Sequence, residues 1–544
     1  MKKWFRIILA IGFTTLASAS GRPPEVTDNY DVVIYGATSA GVTAAIQVQR
    51  MGRTAVILEP GRHIGGLTSG GLGSTDTGNK AVVGGLSREF YQRIKKYYDD
   101  PQVWRYESQA DYARYRPQED AMWTFEPHVA EMILRRMLEE SGARVFFGER
   151  LERKNGVEKK KGRIRSIRME SGKRFEAAMF IDAGYEGDLM AAAGVSYTVG
   201  REANAQYGET LNGVQTVQDK YHQFIFPVDS YVRSGDASSG LLHGVDDSGP
   251  GPDGGADRRV QAYNYRLCVT DVKENQIPFA KPEGYDESRY ELLLRTHEAG
   301  DTRVPLSIIM MPNRKTDINN NYAVSTDYIG QNYDYPDGDY GVREKIRQAH
   351  ISYIQGLLWT LANHPRMPQA IRDQVKKWGW AKDEFLDTGH FPNQLYVREA
   401  RRMVGEFVTT ELTCRGLQPT PEPVGMGSYN MDSHHVQRYI TAEGFVRNEG
   451  DVQVHPGGPY PISYSSLVPK KEQCKNLLVP VCLSASHIAY GTVRMEPVFM
   501  ILGQSAATAA VRALEQKQAV QEVSYDWLRE RLLQDGQILE YHPQ

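Results

Sequence analysis

The sequence predicts an α/β fold in which a strand–turn–helix–strand unit opens the chain and an α+β domain is inserted further on. Three observations carry this. Asp31-Val32-Val33-Ile34-Tyr35 is a short apolar run suited to a buried parallel strand. Gly36-Ala37-Thr38-Ser39-Ala40-Gly41 is a glycine-bounded turn directly after it, and Thr54 to Glu59 is a second apolar run that ends on an acid. With Val42 to Met51 as the helix between them, the order is that of a Rossmann-type βαβ half.

Ahead of this unit, Lys2, Lys3 and Arg6 form a positive n-region, Ile7 to Leu16 is mostly apolar, and Ala17-Ser18-Ala19 fits a small-residue cleavage site. Residues 1–19 therefore read as a secretory signal peptide, with a mature N-terminus at Ser20 and a periplasmic or extracellular destination. The apolar run is too short to span about 30 Å of hydrocarbon. No cysteine follows it to take a lipid, and no later stretch reads as a membrane span. Of the 544 residues, roughly 525 then remain, which suits two or three intertwined domains. Hydrophobic residues at 40% and charged residues at 24% are globular values. The net charge of −3 becomes −6 without Lys2, Lys3 and Arg6, so no basic surplus points to nucleic acid or an anionic membrane.

Along the chain, Leu86 to Tyr98 and Pro127 to Ser141 read as helices, the second with Val129, Met132, Ile133, Met137 and Leu138 on one face. Ala143 to Phe147 reads as a strand. Leu151 to Ile181 alternates around Asn155-Gly156 and Ser171-Gly172, the pattern of a small antiparallel sheet. Residues 28–200 are thus the first part of the nucleotide-binding domain. From about Glu202 the character changes. Ser234 to Asp257 is rich in Gly, Ser, Asp and Pro and reads as a loop, Gln261 to Thr270 as a strand, and Tyr340 to Leu361 and Met367 to Trp378 as helices. Residues 201–395 are assigned to an inserted α+β substrate domain. Residues 396–520 return to the nucleotide-binding domain through strand-like Val404 to Val408 and Leu477 to Leu483 and a long helix from Pro497 to Leu514. Residues 521–544 form a C-terminal tail.

In the first turn, Gly36 allows the tight bend and Gly41 the close packing of helix on strand, while Thr38 stands where the usual fingerprint has a second glycine. Glu59, followed by Pro60, lies eighteen residues beyond Gly41, where an acid holds ribose hydroxyls and repels a 2′-phosphate, which disfavours NADP. The loop Gly65-Gly66-Leu67-Thr68-Ser69-Gly70-Gly71-Leu72-Gly73 lets backbone N–H groups wrap a diphosphate and leaves room for a bulky ring system. Phe180 to Asp188 reads as a strand returning to the nucleotide, with Asp182 and Gly184 at its end. Glu496, Pro497 and Val498 open the long helix, whose partial positive charge would stabilise the anionic edge of a reduced flavin. These later elements favour FAD over NAD. The four cysteines, Cys268, Cys414, Cys474 and Cys482, form no C-x-x-C pair, so no metal site is expected. A Cys474–Cys482 disulfide and free buried thiols both remain open.

At GATSAG, GRHIGGLTSGGLG, FIDAGYEGDL, YVREARRMVGE, NMDSHHVQRY and SASHIAYGTVRMEPVFMILGQSA the chain resembles FAD-dependent oxidoreductases of the two-domain flavoprotein superfamily, in its exported bacterial branch. Ala37 departs from the glycine that members often have there. The resemblance implies a Rossmann-type FAD-binding domain with an inserted α+β substrate domain. It also implies a reactive edge of the flavin between the C-terminal helix and the insertion. His487, just before that helix, is then the leading proton acceptor. His434 is second, with Asp432 either orienting it or capping a following helix. Arg398, with Glu399, Arg401 and Arg402, is either a substrate or flavin clamp or a solvated charge run. Tyr263, Tyr265 and Arg266 would line the inner face of the insertion.

The expected reaction is hydride transfer from an alcohol-type carbon of a small substrate to the flavin. A carbohydrate is suggested by export, 31 tyrosines and polar aromatic segments. A flavin monooxygenase and a non-catalytic flavin- or sugar-binding protein are the alternatives. The electron acceptor has no sequence signature.

Overall fold

The computed structural model describes residues 27–542, so the expected signal segment lies outside the described residues. Strand β1 (Thr27–Tyr35), helix α1 (Ser39–Arg50) and strand β2 (Ala55–Glu59) form the expected unit. The main sheet runs in the order β3-β2-β1-β6-β5-β4, with β3 at Arg144–Phe147, β4 at Val157–Lys160, β5 at Arg163–Arg168 and β6 at Arg174–Asp182. Strand β1 pairs in parallel with β2 on one side and β6 on the other, while β5 and β4 add an antiparallel hairpin. Val32, Val33 and Ile34 are fully buried, as a central parallel strand covered on both faces requires. On the side away from β1, strand β6 serves two neighbours: its first half faces β5, and Phe180 and Ile181 take Leu477–Leu478 in parallel.

Helix α2 (Gly85–Tyr98), α3 (Pro127–Ser141) and the C-terminal helix α6 (Glu496–Glu515) cover the sheet together with α1. The α1–α6 crossing is close because Gly503 has no side chain; a Cβ there would overlap the Ala40 carbonyl. Helix α6 is long and apolar enough to cross a bilayer, which corrects the expectation that no stretch is, but almost all of it is buried inside this molecule.

Residues 269–381 build a second, antiparallel sheet in the order Gln276–Ile277, Gly379–Ala381, Val269–Thr270, Lys315–Asn320, Leu306–Met311. The 24-residue helix α4 (Tyr340–Asn363) belongs to the same stretch, and α5 (His487–Val493) precedes α6.

Several expected elements are shorter than read. Of 261–270 only Val269–Thr270 is strand, because Asn264 and Leu267 make single bridges to Tyr396 and Ile318 instead of a ladder. Residues 404–408 are irregular: Gly405 packs against the Val468 carbonyl, and the strand pairing ends at Arg402–Met403. Pro480, without an N–H, follows the short strand Leu477–Leu478. The 234–257 stretch, expected to be loop throughout, contains the hairpin strand Asp236–Leu241. Asp432 caps no helix, since it lies in the strand Met431–Ser433. All four cysteines are free and buried.

Candidate functional site

One end of the site is made by backbone. Tyr35, Gly36, Thr38, Glu59, Pro60 and Gly184 line a cleft of about 580 Å³ at the carboxyl ends of β1, β2 and β6, the size of a small-molecule site. Gly36 has φ +97°, and a Cβ on it would lie 2.8 Å from the Gly184 nitrogen, so strand end and turn are pressed together. Glu59 accepts from the Ala37 N–H at 2.7 Å and the Gly61 N–H at 2.6 Å. Burial pushes its carboxyl up to about 7, against the pull of those two N–H groups. Thr38 lines the cleft but its hydroxyl is engaged within the fold: it donates to the Ala183 carbonyl at 2.7 Å and accepts from the Gly41 N–H at 3.4 Å as the N-cap of α1. A β-carbon is therefore tolerated where the fingerprint has glycine. Ala40 and Gly41 are buried in α1 behind the turn. Asp182 accepts from Met190 and Gly184 N–H groups and holds the turn after β6; burial pushes it to about 7.

The glycine loop joins this end to the other. Gly65 and Gly66 both have positive φ, and Gly66 to Thr68 form one 3₁₀ turn. Tyr185 threads behind it: its hydroxyl accepts from the Leu67 N–H at 2.8 Å and donates to Glu496 at 2.6 Å. Ser39, at the start of α1, and Thr68 also donate to Glu496, at 2.6 and 2.8 Å. Glu496 thus ties three segments together and, where ionised, offsets the positive end of α6. This corrects the expectation that the α6 N-terminus supplies positive charge. Pro497 and Val498 line neither the cleft nor the inner cavity, and the Pro497 carbonyl accepts from Ser87 of α2.

The far end is made by side chains. Leu67, Tyr185, Tyr396, Arg398, Arg494 and Glu496 enclose an inner cavity of about 10 Å³. Around it, buried groups close a ring. Arg398 pairs with Asp327 at 2.9 Å, Asp327 with His434 Nδ1 at 2.7 Å, and His434 Nε2 lies 3.4 Å from Asp432. Asp432 pairs with Arg494 at 2.6 Å, and Arg494 donates to the Tyr396 hydroxyl at 2.6 Å. The Arg398 guanidinium completes the ring 4.7 Å from the Tyr396 ring centroid. Burial opposes ionisation of both aspartates, but Arg398 and His434 hold Asp327 well below the usual carboxylate range, and His434 and Arg494 bring Asp432 to about 2. Burial and Arg398 depress the His434 imidazole, yet the two aspartates outweigh them and raise it. With His434 protonated, three cations face two anions in the ring, and Glu496, whose carboxyl burial raises, adds a further acid to the cavity wall.

The Nε atoms of Arg398 and Arg494 are buried without a hydrogen-bond partner. Two unpaired guanidinium donors at one cavity are what an electron-rich ligand group requires. Together with the positive-φ glycine cradle and the Glu59 cleft, this donor set fits FAD, although the inner walls must part to admit its ring system.

His487 is not at this cavity. It is the first residue of α5, with Nδ1 at 2.8 Å from both oxygens of Glu399 and Nε2 at 3.1 Å from the Ser433 hydroxyl, so both nitrogens are engaged. This corrects its expected place beside α6. The 398–402 charge cluster is not a solvated run: Arg401 pairs with Asp188 at 2.8 Å and Arg402 with Glu202 at 2.7 Å, all buried. Tyr263 and Tyr265 are fully buried, and Arg266 pairs with Asp317 at 2.6 Å. Elsewhere Glu126, His128 and Glu384 come within metal-ligand reach of one another, but the Lys315 ammonium sits 2.8 and 2.7 Å from the two glutamates.

The residues that sequence reasoning missed are Tyr185, Asp327, Tyr396 and Arg494. Three of them stand inside distinctive strings without a recognisable role, and Asp327 has no local signal at all.

A family model described as FAD dependent oxidoreductase matches residues 31–532. No curated protein sequence matches the chain. Among solved structures, an L-amino acid deaminase from Proteus vulgaris is similar at 16% identity over 33% of this chain and 54% of that one, with a TM-score of 0.24. The OxyS anhydrotetracycline hydroxylase from Streptomyces rimosus is similar at 16% identity over 38% of each chain, TM-score 0.22. THI4 from Thermovibrio ammonificans is similar at 17% identity over 34% of this chain and 71% of that one, TM-score 0.23. The chain spans about half of the deaminase and less of the hydroxylase, and likenesses this partial carry no argument about substrate.

Proposed function

The chain belongs to the FAD-dependent oxidoreductases, and from that premise we propose that it oxidises an alcohol-type carbon of a small substrate, with a carbohydrate as the favoured class. The observation that supports this is the pair of buried guanidiniums at the inner cavity, Arg398 and Arg494, whose Nε–H groups are aimed at no protein acceptor. When bound, FAD accepts two electrons as a hydride. Gly36, Glu59 and Gly184 would hold its adenosine end; in the glycine loop Gly65 donates to the Ala37 carbonyl and Leu67 to Tyr185, which leaves the Gly66 N–H of that turn for its diphosphate.

The chain's own residues act on the oxygen of the substrate. Tyr396, Arg398 and Arg494 orient it and oppose the negative charge that builds there as its proton leaves, in a setting where burial makes such donors effective. His434 enters the step neutral and takes that proton, and Asp327 and Asp432, which raise its affinity for it, hold the imidazolium that results. His487 is a positioning residue: the Glu399–His487–Ser433 chain fixes the strand that carries Asp432. Export is part of the same reading and rests on residues 1–19; active protein that keeps Met1 overturns that part.

Anaerobic titration with sugars and polyols tests the reaction. At least one should bleach the flavin, and Tyr396→Phe should slow bleaching roughly 10- to 10³-fold with FAD retained. Bleaching by no alcohol, or equal rates in wild type and Tyr396→Phe, overturns the assignment.

A further inference from the structure

A second pocket, of about 430 Å³, lies between α2 and the 114–124 segment and takes no part in the site above. Four cations line it, Lys80, Lys95, Arg114 and Arg116, against one carboxylate, Glu119. Lys80 lies 3.7 Å from Glu119, and Lys95 pairs with Asp99. Arg114 and Arg116 make no ion pair among the described residues; Arg116 donates only to carbonyls of its own loop. Even with Asp99 counted, the charges sum to a surplus of two.

Aromatic faces as well as carboxylates hold two of these cations in place: the Lys80 ammonium sits 5.6 Å from the Trp123 ring and Lys95 lies 4.7 Å from the Tyr115 ring. The charge without a carboxylate partner is that of Arg114 and Arg116. Trp123 is stacked on Tyr91 at 4.3 Å, which fixes the wall. Thr75, also in the lining, has its buried hydroxyl beside that of Tyr91.

The pocket also backs onto the reaction end. The Ser74 N–H donates to Asp317, which pairs with Arg266, and Asp76 lies 3.8 Å from the same guanidinium. Ser74 thus touches the pocket on one side and the buried Arg266–Asp317 pair on the other.

We propose that this pocket is an oxyanion site that takes the carboxylate, sulfate or phosphate group of a small ligand. The site stands on its own geometry and not on the reading under Proposed function.

Calorimetric titration of FAD-loaded protein with sulfate, phosphate, D-glucuronate and neutral D-glucose tests it. The exposed pair Arg114→Gln/Arg116→Gln and, separately, Lys80→Gln serve as variants that leave the fold and the inner ring untouched. The expected result is anion binding that weakens ten-fold or more in the double variant and with rising salt, with no heat from glucose. A preference for glucuronate assigns a carboxylate, and a preference for sulfate or phosphate assigns an ester. Equal binding by wild type and both variants, or none, overturns the site whatever the flavin does. Anion binding that depends on the arginines, with no alcohol bleaching the flavin, sinks the reading under Proposed function and leaves the site standing.

Discussion

The two ends of the site are built from different materials. The cleft around Glu59 is made by main chain: glycines at Gly36, Gly65 and Gly66 set its shape, and N–H groups of Ala37 and Gly61 fix its one carboxylate. The inner ring is made by long side chains that converge from residues 327, 396–398, 432–434 and 494. A backbone site demands particular residues at fixed local spacing, because only glycine accepts those angles and approaches. A side-chain ring demands only that charges meet in space. The first kind therefore tolerates few substitutions but little is lost by trimming one side chain, while the second depends on every member.

The largest expected effect tests the ring. Removing Arg398 leaves Asp327 and His434 buried without their balancing charge, a change that costs about 3–5 kcal/mol. Arg398→Met should lower the unfolding free energy by that amount and abolish substrate-dependent bleaching. Should Arg398→Met unfold at the wild-type midpoint in urea, the ring is not a closed electrostatic unit and the contrast between the two ends fails.

A smaller loss is expected at the backbone end. Glu59→Arg replaces a ribose acceptor by a cation, yet the glycine turns remain. Losing a hydrogen bond to a charged group is worth about 1.5–3 kcal/mol, so FAD affinity should fall roughly 10- to 100-fold, read as the ratio of flavin to protein absorbance after gel filtration. Full retention of FAD by Glu59→Arg would mean that the cleft binds something other than the adenosine ribose.

This division also explains what was legible. The βαβ unit, the glycine loop and Glu59 are local patterns, and α1, α2 and α3 fall within a few residues of their expected bounds. Arg398 stood out as part of a dense charge cluster and His434 beside Asp432, but their partner Asp327 lies in a stretch without a local signal. His487 drew attention through its nearness in sequence to α6, and the intervening helix α5 turns it toward Glu399 instead. Strand lengths around 261–270 and 404–408 were overread because apolar alternation does not reveal whether a neighbouring strand is there to pair.

The two ends should also differ in their response to pH. Glu59 and Asp182 have carboxyls raised by burial from 4.5 and 3.8 to about 7. Between the ordinary values and about 7 the folded chain holds protons that the unfolded chain has released, so these groups make stability fall as pH rises through that window. Asp432 is lowered to about 2 and works in the opposite sense: its contribution is present above about pH 4 and is lost as pH falls toward 2. Melting temperatures at matched FAD content should show Glu59→Gln losing part of the decline between pH 4.5 and 7, with the acid limb unchanged. Parallel curves for variant and wild type across that range would show that Glu59 holds no extra proton.

The smallest effect concerns the one residue at which the backbone end breaks its own rule. Thr38 occupies the place of a fingerprint glycine, and its hydroxyl is engaged within the fold, donating to Ala183 and capping α1. If the backbone alone shapes this end, restoring glycine gives the cofactor no new approach, because the β-carbon was never in its way. Thr38→Gly should then change FAD affinity by less than about three-fold, since a few tenths of a kcal/mol is the usual effect of replacing an N-cap by glycine. Loss of the Ala183 bond adds about 1 kcal/mol to the stability cost, which chemical denaturation would register. A gain of ten-fold or more in FAD affinity would show that Thr38 does obstruct the diphosphate. The cleft would then owe part of its geometry to a side chain, and the distinction between its two ends would be one of degree.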